Sequence, residues 1–222
     1  MTLPSNMATN YEIAIFGIGG HGRELAWIAQ RSAGRPSSVV YVVDDVSELA
    51  PSKDRLVVDV RNFIENYIHV PLLIGVGNPQ ARLAIADRMA TAGASFARFV
   101  DPSALVGDRS LLAEGTIVGP NSVITVDALV GAHTHFNAGC VVSHDVHIGR
   151  GCHFSPGVRV AGHVTVGDAI FFGIGATVIN GTPDSPLRIG DGAIIGAGAC
   201  VVGDVAARTT VAGVPARIVN NR

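Results

Sequence analysis

Lysine is almost missing from this chain: of its 16 cationic residues only Lys53 is a lysine. Schiff-base chemistry and a GxxxxGK[ST] phosphate loop are therefore excluded, since neither the loop nor its lysine occurs. Cysteine is scarce too. Cys140, Cys152 and Cys200 form no CxxC pair, too few for a disulfide framework and wrongly spaced for structural zinc. Charged residues reach only 15%, against roughly 25% in an average soluble domain. With 48% apolar residues, a charged disordered or fibrous chain is excluded. No run of 18 uncharged apolar residues occurs, and the start does not read as a charged-then-apolar signal. A soluble, cytoplasmic protein without membrane insertion is the expectation. The net charge of −2, with no basic run, argues against nucleic acid as a partner.

Small and β-branched residues are abundant. There are 27 glycines, valine recurs throughout, and aromatics make up only 5%. This apolar mass suits thin, regular β-layers better than helix bundles. The 222 residues suffice for one large or two small domains, and the pattern changes near Pro102. We therefore expect domains over 11–101 and 102–222, after a polar, frayed opening at 1–10. In the first, strands at 12–16, 39–43, 72–76 and 96–100 alternate with helices at 21–33, 61–67 and 80–91. Such alternation with short connections predicts a parallel sheet with crossover helices, a Rossmann-like half-domain.

After Pro102 the period is six. Apolar residues fall at Val106, Leu112, Val118, Ile124, Val130, Phe136, Val142, Ile148, Phe154, Val160, Val166, Phe172 and Val178, in unbroken phase. A small or β-branched residue precedes each by two positions, as at Ala104, Ser110, Thr116 and Ser122. The phase breaks at 180–188 (NGTPDSPLR) and resumes at Ile189, Ile195 and Val201, displaced by five. Each hexad predicts a short flat strand and a tight corner, and three hexads close one triangular coil. The second domain is thus expected to be an all-β, left-handed parallel β-helix, rather than a sandwich with period-two strands and variable turns.

Several groups carry candidate chemistry. Gly17-Ile18-Gly19-Gly20-His21-Gly22 follows a strand and opens a helix, with Asp44 beyond it. Alone this matches a dinucleotide fingerprint, and NAD is a rival ligand. Four strands, however, make only half a dinucleotide fold and offer one mononucleotide crevice. Asp44-Asp45 and Gly77-Asn78 stand at strand ends, where side chains either meet a ligand or cap the next helix and form Asx turns. Five histidines lie close together in the repeat: His135, His144, His147, His153 and His163. An 18-residue coil stacks His135 beneath His153 and Asp145 beneath His163. One column of two histidines is not a complete zinc site, and no metal is expected. His144 falls on an outward corner, free to meet a substrate or a neighbouring subunit. Cys140 and Cys152 fall at interior positions.

The repeat, GIGGHG at 17–22, VVSHDVHIG at 141–149 and VAGVPARIV at 211–219 together resemble the PglD/NeuD-type sugar acetyltransferases, from Tyr11 to Val219. The resemblance implies a homotrimer that binds a nucleotide-linked amino sugar and acetyl-CoA. It implies His144 as general base with Asp145 beside it. His153 matches the second active-site histidine, which touches the acetyl-CoA end or orients the acceptor. Gly162 matches the oxyanion donor. Gly173, Ile174, Gly213, Pro215 and Arg217 match segments that contact CoA, and Arg217 suits a CoA phosphate. Gly17, Gly19, Gly20, His21, Gly22, Asp44, Asp45, Gly77 and Asn78 match the nucleotide-sugar pocket. The activity implied is acetyl-CoA-dependent N-acetylation of the 4-amino group of a UDP-, GDP- or dTDP-linked amino-deoxy sugar, in surface-glycan biosynthesis. The rivals are O-acetylation, as in sialic-acid or serine acetyltransferases, and a non-catalytic trimer that binds a nucleotide sugar or NAD. The insert at 180–188 departs from the usual hexad.

Overall fold

The computed structural model describes residues 12–32, 38–47 and 55–219. The polar opening at 1–10, Lys53 and Ala33, the last residue of the expected first helix, lie outside the described residues.

The N-terminal part is a four-stranded parallel sheet with helices on both faces. In chain order it runs β1 (Ile13–Phe16), α1 (Gly20–Ser32), β2 (Val39–Val43), β3 (Leu56–Asp59), α2 (Val60–Asn66), β4 (Leu72–Ile74) and α3 (Pro79–Thr91). The sheet order is β3-β2-β1-β4. Every residue of β1 is buried because alternate side chains enter two separate cores. Ile13 and Ile15 pack with Leu25 and Ile28 of α1. Ala14 and Phe16 pack with Phe63 of α2 and Met89 of α3. The Asp59 carboxylate caps α2, accepting from Asn62 N–H (2.8 Å), and Asn78 caps α3 ahead of Pro79.

One expectation is corrected. The stretch 96–100 is not the fourth strand of this sheet. Phe96 makes only an isolated bridge to Leu72, and Phe99–Val100 pairs with Ile117–Val118 of the repeat. Val100 is itself in phase with the hexads, one step before Val106, so the prism opens earlier than its first recognised repeat. The fourth strand is Leu56–Asp59, a four-residue run beside β2 that the sequence reading left unassigned.

The rest of the chain is the left-handed parallel β-helix. Strands of two or three residues stack in three faces. The first face carries Phe99–Val100, Ile117–Val118, His135–Phe136, His153–Phe154 and Phe171–Phe172. The second carries Leu105–Val106 through Cys200–Val201, and the third Leu111–Leu112 through Leu187–Ile189. The phased residues fill the interior, where Phe136, Phe154 and Phe172 stack with ring centroids 4.5 Å apart. The small residues beside them explain why hydroxyls are tolerated inside. Ser122 Oγ donates to Asn137 O (2.9 Å) and accepts from Cys140 N–H (3.1 Å), and Thr134 Oγ1 does the same with Gly149 O and Cys152 N–H. The hydroxyls of Ser122 and Thr134 are thus satisfied by the next coil.

The five-residue displacement appears directly as register, since Val166 pairs with Ile189. The N-terminal unit sits on the first face and on its corner with the third, through the contacts described below. No helix among the described residues is long and apolar enough to cross a membrane.

Candidate active site

The corner between the second and third faces holds the first cluster. Arg109, Asp127, Asp145 and His163 stand in one column, one per coil, all with left-handed backbone (φ 56 to 59°). Polar residues tolerate that conformation better than β-branched ones, which is why the column is polar. Arg109 engages the carboxylate of Asp127 with two hydrogen bonds. Asp145 is left to the histidines. Its Oδ2 lies 2.8 Å from His144 Nδ1 and 3.9 Å from His163 Nδ1. The His144 and His163 rings meet edge to face, centroids 5.1 Å apart. His144 also lies over Gly162, where a Cβ would come within 2.6 Å of the ring. Gly162 is therefore required for this ring placement.

The insert at 180–188 emerges at this same corner, one coil above. Gly181 N–H donates to Gly162 O (3.1 Å), and Leu187 N–H donates to His163 O (3.1 Å). The length and Pro/Gly content of the insert predict a loop out over a corner that shapes the CoA or acceptor cleft, and the insert stands at this corner beside Gly162 and His163.

His153 is elsewhere. It stands on the first face, under α1, in a buried seam with His21 and His135. His21 Nε2 is 3.0 Å from His135 Nδ1, and the His153 ring lies 5.2 Å from that of His21. The prism places His144 on the corner opposite this face, so one chain does not bring His144 and His153 together. Burial, aided by the charges of Arg82 and His21, pushes the His153 imidazole down to about 3. Burial also lowers His21, and carries fully buried His135 well below the usual imidazole range. All three rings are neutral at neutral pH.

Arg82 of α3 was not recognised in the sequence. It is fully buried, and all five of its N–H groups donate to carbonyls: His133, Val76, Gly77, Gly151 and Cys152. It thereby bolts the turn after β4 to the prism, and burial lowers its guanidinium to about 10, still charged at neutral pH. Nothing in an amphipathic helix pattern marks this arginine, because its partners are backbone atoms of a distant segment.

The nucleotide-sugar candidates do converge. β1 lies between β2 and β4, so residues 17–22, Asp44-Asp45 and Gly77-Asn78 line one end of the sheet. Their roles divide. Gly17 has φ +98°, and a Cβ on Gly22 would fall 2.1 Å from Gly17 O, so both are needed for the tight strand-to-helix turn. Gly19, Gly20 and Gly77 face open space. Asn78 Oδ1 caps α3 through Ala81 N–H (2.9 Å), Asp45 Oδ1 accepts from Ser47 N–H (2.8 Å), and Asp44 pairs with Arg88 (2.8 Å). Arg88, another residue the sequence reading passed over, also lies over the Phe16 ring.

Among the expected CoA contacts, Gly173 is constrained by the next coil, since a Cβ there would meet Ala197 N at 2.5 Å. Ile174 is exposed. Gly213 has φ +92°, Pro215 follows a cis bond, and Arg217 lies on an exposed strand that pairs antiparallel with Thr210–Ala212. Burial pushes the Cys140 thiol up to about 11 and Cys152 up to about 12, so neither supplies a nucleophile.

Comparison with known proteins agrees with this architecture. The PglD N-terminal domain matches residues 12–89, and the bacterial transferase hexapeptide (six repeats) matches residues 127–162. WeeI from Acinetobacter baumannii AYE is 29% identical, covers 93% of this chain and 99% of its own, and superposes with a TM-score of 0.87. PerB from Caulobacter crescentus, solved in complex with CoA and GDP-perosamine, is 30% identical and covers 97% of this chain and 100% of its own, with a TM-score of 0.83. UDP-N-acetylbacillosamine N-acetyltransferase of Bacillus subtilis (strain 168) is 32% identical over 113 residues, or 48% of this chain. The match spans half the length of that relative. With both parts of the fold matched in order, and one relative 30% identical over its full length, the chain belongs to the PglD-type family of hexapeptide-repeat sugar N-acetyltransferases.

Proposed function

We propose that this protein transfers the acetyl group of acetyl-CoA to the 4-amino group of a nucleotide-linked amino-deoxy sugar, with His144 as general base. The observation that carries this reading is His144 itself. Its Nδ1 is held by Asp145 at 2.8 Å while its ring lies over Gly162. In the neutral tautomer Nδ1–H donates to the carboxylate, and Nε2 is left with a lone pair for the acceptor. The amine attacks the thioester carbonyl and gives its proton to Nε2. The carbonyl electrons become an oxyanion, for which Gly162 N–H is the donor we assign. Collapse of the tetrahedral adduct re-forms the carbonyl and breaks the C–S bond, and the thiolate of CoA leaves and takes up the proton. No acyl-enzyme is needed, in keeping with the raised thiols of Cys140 and Cys152.

The nucleotide sugar belongs, on this reading, at the sheet end formed by residues 17–22, Asp44-Asp45 and Gly77-Asn78. Open space at Gly19 and Gly20, beside the start of α1, suits a phosphate. CoA would run past Ile174 to the C-terminal segment with Gly213, Pro215 and Arg217. His144 stands opposite the face that carries its own N-terminal unit, so we assign the complete site to two neighbouring chains of a homotrimer. His144 of one chain would meet the His21 and His153 side of the next, where neutral imidazoles can orient the acceptor. PerB, which was solved with CoA and GDP-perosamine, supports the pairing of these two ligands. The relative from B. subtilis, named for a UDP-linked amino sugar, supports an amine acceptor. The cytoplasm, where acetyl-CoA is available and the three free cysteines stay reduced, is the proposed compartment.

The test is CoA release from acetyl-CoA across UDP-, GDP- and dTDP-linked 4-amino sugars and their hydroxyl counterparts. Turnover with an amino sugar and none with the hydroxyl series is expected. Turnover only with hydroxyl acceptors would overturn the reading. Light scattering under the same conditions should give a trimer, and an active monomer would refute the shared site.

A further inference from the structure

The catalytic corner contains a histidine that the proposed transfer does not use. His163 lies in the coil above Asp145 and turns Nδ1 toward the same carboxylate oxygen that holds His144. We propose that His144, Asp145 and His163 form an inhibitory site for a divalent transition metal, with Zn2+ as the best fit.

Two imidazoles and one carboxylate are a donor set that suits zinc. Tetrahedral donors at Zn–N and Zn–O distances of about 2.0–2.2 Å stand about 3.3 Å from one another. The observed separations from Asp145 Oδ2, 2.8 Å to His144 Nδ1 and 3.9 Å to His163 Nδ1, bracket that spacing. One candidate ligand atom from each of the three residues falls within 4.8 Å of the others. The donors are fixed in advance, because Asp145 and His163 are stacked corner residues of successive coils and His163 N–H donates to His144 O (3.3 Å). The site is also open. The side chains of His144 and Asp145 are about half exposed and that of His163 a quarter exposed, which leaves an entry path and room for a fourth ligand from solvent. Arg109, the cation of the same column, is engaged by Asp127 one coil further down.

Metal binding and catalysis exclude each other through one proton. As base, His144 keeps its proton on Nδ1 and its lone pair on Nε2. A metal bound through Nδ1 needs a lone pair on that nitrogen, so the ring proton moves to Nε2. The nitrogen that should accept the proton of the amine then already carries one. Asp145, ligated to the metal, no longer orients the ring. The inhibition, though not the binding, rests on the function proposed above.

The experiment uses full-length protein stripped by chelator. Calorimetry with Zn2+ and visible absorption with Co2+ as a spectroscopic probe report binding without any turnover. One ion per chain, with the visible bands of tetrahedral Co2+, is expected. His163→Asn removes one ligand and suits the left-handed backbone of that position, and His163→Gly serves as a second variant that suits it. Each should bind at least about tenfold more weakly and keep acetyl transfer within about threefold of the parent. Zn2+ should inhibit the parent, with recovery on adding chelator, and should leave the His163 variants active. Absence of binding, or binding unchanged in both variants, would overturn the site. Binding at the site with undiminished turnover would overturn the inhibition. A chain that binds the metal but acetylates no acceptor would leave the site standing and defeat the proposed function instead.

Discussion

Nε2 of His21 and Nδ1 of His135 lie 3.0 Å apart, joining residues 114 positions distant across the seam between sheet and prism. One proton serves that bond. His21 Nδ1 faces the Glu24 carboxylate at 3.5 Å, which favours a proton there. His21 Nε2 is then the acceptor and His135 Nδ1–H the donor. The remaining nitrogen, His135 Nε2, is buried without a partner as a lone pair rather than as the costlier orphan N–H. The pair thus fixes one tautomer of His21, in the first turn of α1 beside the proposed sugar pocket.

For the base, His144→Ala should lower kcat about 10²–10⁴-fold. The side chain is half exposed, so the protein should stay folded and bind both substrates. Asp145→Asn should cost less, because it disturbs the orientation of a base that is still present. Steady-state kinetics alongside thermal melts decides this. A folded His144→Ala protein with near-parental turnover would move the base elsewhere.

The glycine turn separates structure from binding. Gly22→Ala places a Cβ against Gly17 O and should lower the melting temperature sharply or prevent folding. Gly20→Ala meets no protein atom within 4 Å and joins a helix, where alanine is favoured by about 1 kcal/mol. It should melt no lower than the parent, yet raise KM for the nucleotide sugar without changing KM for acetyl-CoA. An unchanged KM for the sugar would detach this turn from the pocket.

Acid should loosen the fold early. Burial holds His133 at about 4 and His153 at about 3, whereas both take up a proton near 6.5 once unfolded. With folded values depressed, the unfolded chain binds the extra protons. Stability is complete above about pH 6.5 and is lost as pH falls toward 4 and then 3. At pH 5 each such histidine costs about 2 kcal/mol. Urea unfolding at pH 7.5 and pH 5 should show a loss of at least that size. Equal stability at both would mean that these rings are protonated in the folded state.

Arg82→Met should destabilise by more than about 3 kcal/mol, since five carbonyls lose their donor in a buried seam. Arg82→Lys should fall between, because an ammonium has three donors and no planar fork. A melting temperature for Arg82→Met within a degree or two of the parent would show that water replaces the guanidinium.

Much of this molecule is legible in its sequence. The buried phase from Val118 to Val178, the strand at 39–43 and the outward placement of His144 all follow from spacing within a few residues. The strand at 56–59 was not legible, because four residues beside β2 carry too little periodicity. Phe99–Val100 was misassigned, because a two-residue strand reads alike in either sheet until its neighbour is known.

What the sequence by itself determined is the prism and the glycine turn. A residue every six positions must point inward if three flat strands close a coil, and that rule needs no distant partner. Only the tertiary structure decided how the sheet unit sits on the first face. That docking buries Arg82 among carbonyls, pairs His21 with His135, and leaves His144 on the far corner beneath the insert. These contacts join segments with no common period, and their energy comes from carbonyls, ring nitrogens and close packing that exist only once both parts are folded.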